Sequence, residues 1–109
     1  MHELAITQSI VDAVSDRAGD AAVSVVRIRV GKLSGVFPHA MQFAFEVVTS
    51  GTTLQGAELM IDEPPGIGHC RECDSDISLP DLILLCPCGS ADVEVISGRE
   101  LAIESIEVV

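Results

Sequence analysis

The residues best equipped for chemistry are four cysteines, Cys70-Arg-Glu-Cys73 and Cys86-Pro-Cys88, separated by residues 74–85. Two thiolate pairs on short loops can supply the four sulfurs of a tetrahedral zinc site. The first pair has the C-x-x-C spacing of such sites, and the second is one residue shorter. At a Zn–S distance of ~2.3 Å, neighbouring sulfurs stand about 3.8 Å apart. Residues i and i+2 of an extended chain lie roughly 6.5 Å apart on one face. Side-chain tilt can close that difference, and Pro87 biases Cys86 toward extended backbone. Two completions of the site follow: four thiolates, or a set in which His69, beside Cys70, replaces one of them. Redox thiols, pairing Cys70 with Cys73 or Cys86 with Cys88, are a competing use of the same residues. A segment this poor in large apolar residues needs a staple to fold, which favours zinc. A catalytic zinc would require an open position and a nearby base; Glu72 could serve as the base, but nothing else in the sequence supports that role.

The second constellation is Met1-His2-Glu3. A terminal amine, deprotonated amide nitrogens and an imidazole can form fused chelate rings around one cation. Such nitrogen-rich, roughly planar sites suit Ni(II) or Cu(II). The first amides of a helix have no intrahelical partner, so their use breaks no helical bond. Glu3 adds a carboxylate close by. The competing reading is an exposed histidine on a frayed terminus, and the residues alone favour it. His39 reads as a surface or capping residue.

The elements that must position these groups follow from periodicity. From Glu3 to about Arg17 the apolar residues Leu4, Ile6, Ile10, Val11, Ala13 and Val14 recur at helical spacing, with Gly19 placed to end the helix. Val26, Ile28 and Val30 then alternate with Arg27 and Arg29, the pattern of a strand with one buried face. Pro38 opens a second helix with a Met41, Phe45, Val48 stripe, Phe43 and Val47 beside it, and Gly51 at its end. Ala57, Leu59 and Ile61 mark a second strand, and "EPPGIG" a boundary. Near the carboxyl end Leu101 and Ile103 are in phase, but Ile106 and Val108 are not, which predicts a bulge or strand end near Ser105. The expected fold is α+β: a three-stranded sheet with two helices on one face, plus a small inserted zinc-ribbon-like module. Residues 1–65 and 96–109 form the α+β domain, and 66–95 the insert.

Composition narrows the function. The 109 residues carry a formal charge of −11, with 48% hydrophobic and 3% aromatic residues. The core must therefore be aliphatic. An acidic surface without Trp or Tyr argues against nucleic-acid binding and would steer a basic protein partner. No signal peptide or bilayer-spanning stretch is seen, so a cytoplasmic protein is expected. In that compartment the cysteines read as metal ligands or redox thiols rather than structural disulfides.

Taken together, "MHELAITQSIVDAV", "VGKLSGVFPHAMQFAFEVVTSGT", "LQGAELMIDEPPG", "CPCGS" and "GRELAIESIEV" resemble the HypA/HybF family of hydrogenase nickel-incorporation proteins over nearly the whole chain. The resemblance implies a nickel metallochaperone rather than an enzyme. Ni(II) would be the transferred metal, held by Met1 and His2 with Glu3 adjacent. Zn(II) would be structural, held by Cys70, Cys73, Cys86 and Cys88. The implied partners are a HypB-type GTPase and the [NiFe]-hydrogenase large-subunit precursor. "CPCGS" departs from the family by lacking a residue between the proline and the second cysteine. Exposed sheet edges permit a homodimer without requiring one. Two other classes remain: a zinc-ribbon interaction adaptor without transferable metal, and a thiol redox protein.

Overall fold

A computed structural model describes residues 2–109; Met1, the first residue of the candidate nickel tripeptide, lies outside the described residues. Helix α1 spans Glu3–Ala18 and buries Glu3, Thr7, Ile10, Val11 and Val14, a spacing of three or four residues that keeps one stripe inward. Helix α2, Pro38–Thr49, starts with proline at its first position and buries Met41, Ala44, Phe45 and Thr49. Between them runs β1, Val23–Val30, followed after α2 by β2, Glu58–Asp62. The last strand, β6, covers Leu101–Val108. These three form a sheet in the order β2-β1-β6, with β2 parallel and β6 antiparallel to β1. The α2 crossover is what a parallel β1–β2 pair requires.

Val26, Ile28 and Val30 on the inner face of β1 pack with Ile10, Val11 and Val14 of α1, Met41 and Phe45 of α2, and Leu59 of β2. Val26, Ile28, Met41 and Leu54 are completely buried. Each such side chain contributes about 1.5–3 kcal/mol of transfer free energy. Phe43 and Val47 lie outside this core and face solvent. On the outer face Arg27 pairs with Glu107 and Arg29 with Glu104. The expected phase slip is present: β6 pairs Ile103 with Ile28 but Ser105 with Arg27, leaving Glu104 as the extra residue. That bulge restores Ile106 to the inner face, opposite Val26.

A second sheet, order β4-β3-β5, is built from β3 (Ile67–Cys70), β4 (Ser75–Ser78) and β5 (Val93–Ser97). Its own small core is Cys70, Leu79, Cys86 and Val93, together with Leu33 from the loop after β1. The two sheets meet where three chain segments cross. Gly31 N–H donates to the Glu100 carbonyl (2.7 Å), Lys32 N–H to Pro64 (2.9 Å) and Leu33 N–H to Gly98 (2.7 Å). A Cβ on Gly31 would run into the Gly98 carbonyl, and Gly98, at φ +109°, lies against the Cα of Gly66. Only glycine fits so close a backbone approach. The molecule is elongated, 53 × 22 × 17 Å.

Candidate metal centre

The four cysteines arrive at one point from two loops. Cys70 ends β3, and Cys73 sits in the following turn, closed by the Asp74 N–H donating to the Cys70 carbonyl at 2.9 Å. Asp74 adopts φ 59°, the left-handed conformation that aspartate tolerates. Cys86 and Cys88 come from the loop before β5. Gly89 N–H donates to the Cys86 carbonyl (2.8 Å), and Cys86 N–H to the Ser90 carbonyl (2.9 Å). This corrects the extended geometry expected for Cys86-Pro-Cys88. The segment is a tight turn, and Gly89 at φ +95° permits it. The turn also aims the Cys88 N–H at the Cys86 sulfur, 3.5 Å away.

The four ligand sulfurs lie within 4.8 Å of one another. Cys70 and Cys88 are separated by 3.7 Å, Cys73 and Cys86 by 3.6 Å. A zinc tetrathiolate at ~2.3 Å has sulfurs about 3.8 Å apart, so the shortened second pair still fits the metal. Cys70 and Cys86 are buried, whereas Cys73 and Cys88 are exposed. The cluster's own electrostatics also favour a cation. The Cys73 and Glu72 N–H groups, donating to Cys70, bring its thiol down to about 6. Cys86 accepts the Cys88 N–H, yet burial and the neighbouring sulfurs push it up to about 12. Four thiolates crowded together cannot all ionise without a counter-charge, and a divalent ion supplies it.

His69 does not join the cluster. Alternation along β3 sends Cys70 inward and His69 outward. Its Nδ1 meets Asp76 Oδ1 at 2.8 Å and its Nε2 meets Asp74 Oδ1 at 2.9 Å. Bonding to Asp76 first, and then to Asp74, raises the imidazole's pKa against the opposing effect of burial. The sequence reading missed both aspartates, which reach His69 through the β3–β4 pairing and the turn between the two strands. It also missed Arg71, which donates to Asp92 (2.7 Å) and Glu94 (2.9 Å) and so ties the first cysteine loop to β5.

His2 is exposed and occupies the N-cap of α1 without a side-chain cap bond. Glu3 is buried, and its Oε2 accepts the Phe37 N–H at 3.1 Å. This bond ties the start of α1 to the start of α2. His39 is exposed on the first turn of α2. Among the described residues, the four cysteines are the one group of three or more candidate ligands close enough to share an ion. No helix of the described residues is long and apolar enough to cross a membrane.

Comparison with known proteins fits this architecture. The family model for HypA, "Hydrogenase/urease nickel incorporation, metallochaperone", matches residues 1–108. A hydrogenase maturation factor HypA from Nostoc sp. is 46% identical, the alignment covering 99% of this chain and 96% of that protein. Its counterpart from Geotalea uraniireducens is 42% identical, with 99% of each chain covered. In fold, the chain is similar to the solution structure of the Ni metallochaperone HypA from Helicobacter pylori. The TM-score is 0.68 at 22% identity, over 100% of this chain and 98% of that one. The chain therefore belongs to the HypA family of metallochaperone maturation factors, which are not enzymes.

Proposed function

We propose that this protein binds Ni(II) at Met1, His2 and Glu3 and delivers it for assembly of the [NiFe]-hydrogenase metallocentre, while Cys70, Cys73, Cys86 and Cys88 hold a structural Zn(II). The observation that carries the reading is the full-length family match, which includes the amino-terminal tripeptide. The convergence of four sulfurs at zinc-like spacing supports the second metal. Residues 1–65 with 96–109 act as the nickel-binding domain and 66–95 as the zinc module. Delivery involves a HypB-type GTPase and the hydrogenase large-subunit precursor in the cytoplasm, with a homodimer as one state. The family description also names urease, which makes urease a second destination.

Nickel bound through backbone nitrogen requires amide deprotonation, so affinity falls as pH falls. A site at the chain end can be presented to a partner and stripped by ligand exchange. The test is native mass spectrometry of untagged protein titrated with Ni(II), beside His2→Ala. One retained zinc and one added nickel, the latter lost in His2→Ala, are expected. Equal nickel binding by both proteins would move the site away from the tripeptide. A wild-type chain without zinc would remove the structural role of the cysteines.

A further inference from the structure

We infer that the free edge of β6, with the groove between β6 and α1, is a docking site for an extended segment of a partner protein in which apolar and basic residues alternate. The inference is independent of nickel binding. The sheet order β2-β1-β6 leaves one side of β6 unpaired. Gly31 donates directly to Glu100, so that pair is of the hydrogen-bonded kind. Alternation then makes Leu101–Val30 and Ile103–Ile28 the non-bonded kind. The N–H and C=O groups of Leu101 and Ile103 consequently point to the free edge.

Their side chains are also uncovered. Ile28 and Val30 are 0% and 1% exposed, whereas their partners Ile103 and Leu101 are 38% and 43% exposed. The helices roof β1 and leave β6 half-roofed. The gap is an apolar groove of ≈ 420 Å³ lined by Ile6, Ile10, Leu101 and Ile103. It continues past Ile103 into a second hollow of ≈ 360 Å³ bounded by Val14 and Ile106. A strand laid along Leu101–Ile103 would form main-chain bonds and send every other side chain into this groove.

Charge selects the occupant. The outward side chains around the Leu101–Ile103 half are Glu100, just before β6, and Glu104, which pairs with Arg29 of β1. The added strand's outward side chains would sit beside these carboxylates, on a chain of net charge −11. Basic residues fit there. A second copy does not, because it would set glutamates beside glutamates and one −11 surface against another. Strand edges are commonly protected by lysine or proline; β6, LAIESIEV, has neither. The bulge at Glu104 limits pairing to the Leu101–Ile103 half.

The test uses the full zinc-loaded chain and an acetylated, amidated octapeptide alternating lysine with isoleucine. Binding should slow amide exchange of Leu101 and Ile103 by about tenfold or more, the protection expected of a paired strand. Replacing the lysines with glutamate should weaken binding by about tenfold or more. Ile103→Pro removes an outward N–H without removing a bond to β1 and should abolish binding that Ile103→Val retains. The peptide comparison is made on the wild-type chain, so it stands even if the proline variant does not fold. Unchanged exchange at Leu101 and Ile103 under saturating peptide, or equal binding of the glutamate peptide, would overturn the inference. So would a wild-type dimer in sedimentation velocity that Ile103→Pro turns into a monomer, since the edge would then belong to a second copy.

Discussion

The two sheets of this protein have the same number of strands but are held together differently. Sheet β2-β1-β6 rests on an aliphatic core drawn from both helices and all three strands. Sheet β4-β3-β5 rests on a core in which two of five buried members are cysteines and a third, Leu33, is borrowed from the neighbouring region. The first can meet its conformational entropy cost by burying hydrocarbon. The second has little hydrocarbon of its own, and its four sulfurs stand where one metal ion could bridge them. One short chain thus joins a region closed by hydrocarbon to a region whose core is built around clustered sulfurs, through a closely packed backbone junction.

The largest effect should come from breaking the second region alone. Removing the metal with a strong chelator, or introducing Cys73→Ser, removes a binding free energy of about 10–16 kcal/mol for a structural zinc site. Amide dispersion of residues 67–97 should collapse while α1, α2, β1 and β2 keep their resonances. Simultaneous loss of both regions would refute the comparison. Next in size is the reciprocal experiment. Met41→Ala opens a cavity in the aliphatic core and should cost about 2–5 kcal/mol in denaturant unfolding of the α+β region. Zinc content should not change.

A smaller change sharpens the same boundary in the stabilising direction. The Thr7 hydroxyl is buried and has no hydrogen-bond partner among the described residues. Thr7→Val keeps the shape and removes the unsatisfied oxygen, so the unfolding free energy of the α+β region should rise by about 1 kcal/mol. The smallest effects are those of pH, and they have opposite signs. Glu100 accepts its own N–H and that of Gly98, which holds its carboxyl below the usual range. Its contribution is present above the unfolded carboxylate pKa and is lost as pH falls through the lower folded value. His69, raised by Asp76 and then Asp74, contributes below the unfolded imidazole pKa and loses that contribution as pH rises through the higher folded value. Unfolding curves of Glu100→Gln and His69→Gln against pH should show these two slopes flattened. Equal slopes in variants and wild type would sever these side chains from stability.

The sequence showed the aliphatic region well because its elements are long and periodic. Eight residues of β1 reveal their buried face, and the misplaced phase of Ile106 predicted a bulge or strand end near Ser105, one residue from the bulge at Glu104. The cysteine region was legible only through its ligands. β3 and β4 have four residues each, and β4 is mostly polar, so neither carries a usable period. Leu33 reads locally as the tail of a strand, and its burial beside Cys70 comes from a contact that sequence spacing does not encode. The Glu3–Phe37 bond is likewise a contact across 34 positions. The tight Cys86-Pro-Cys88 turn depended on Gly89, whose left-handed conformation becomes visible only once the chain is folded.

The packing of Gly66 against Gly98 has a consequence for how this chain could be remodelled. A Cβ placed on Gly98 would stand 2.7 Å from the Gly66 Cα, so the cysteine module leaves the α+β region and returns to it at nearly the same point. To the rest of the molecule the module is topologically a loop, and doubling a flexible loop's length costs only about 0.6 kcal/mol in closure entropy. The junction is thus a natural graft site, where a longer, shorter or unrelated cassette could be exchanged while the aliphatic host keeps its register.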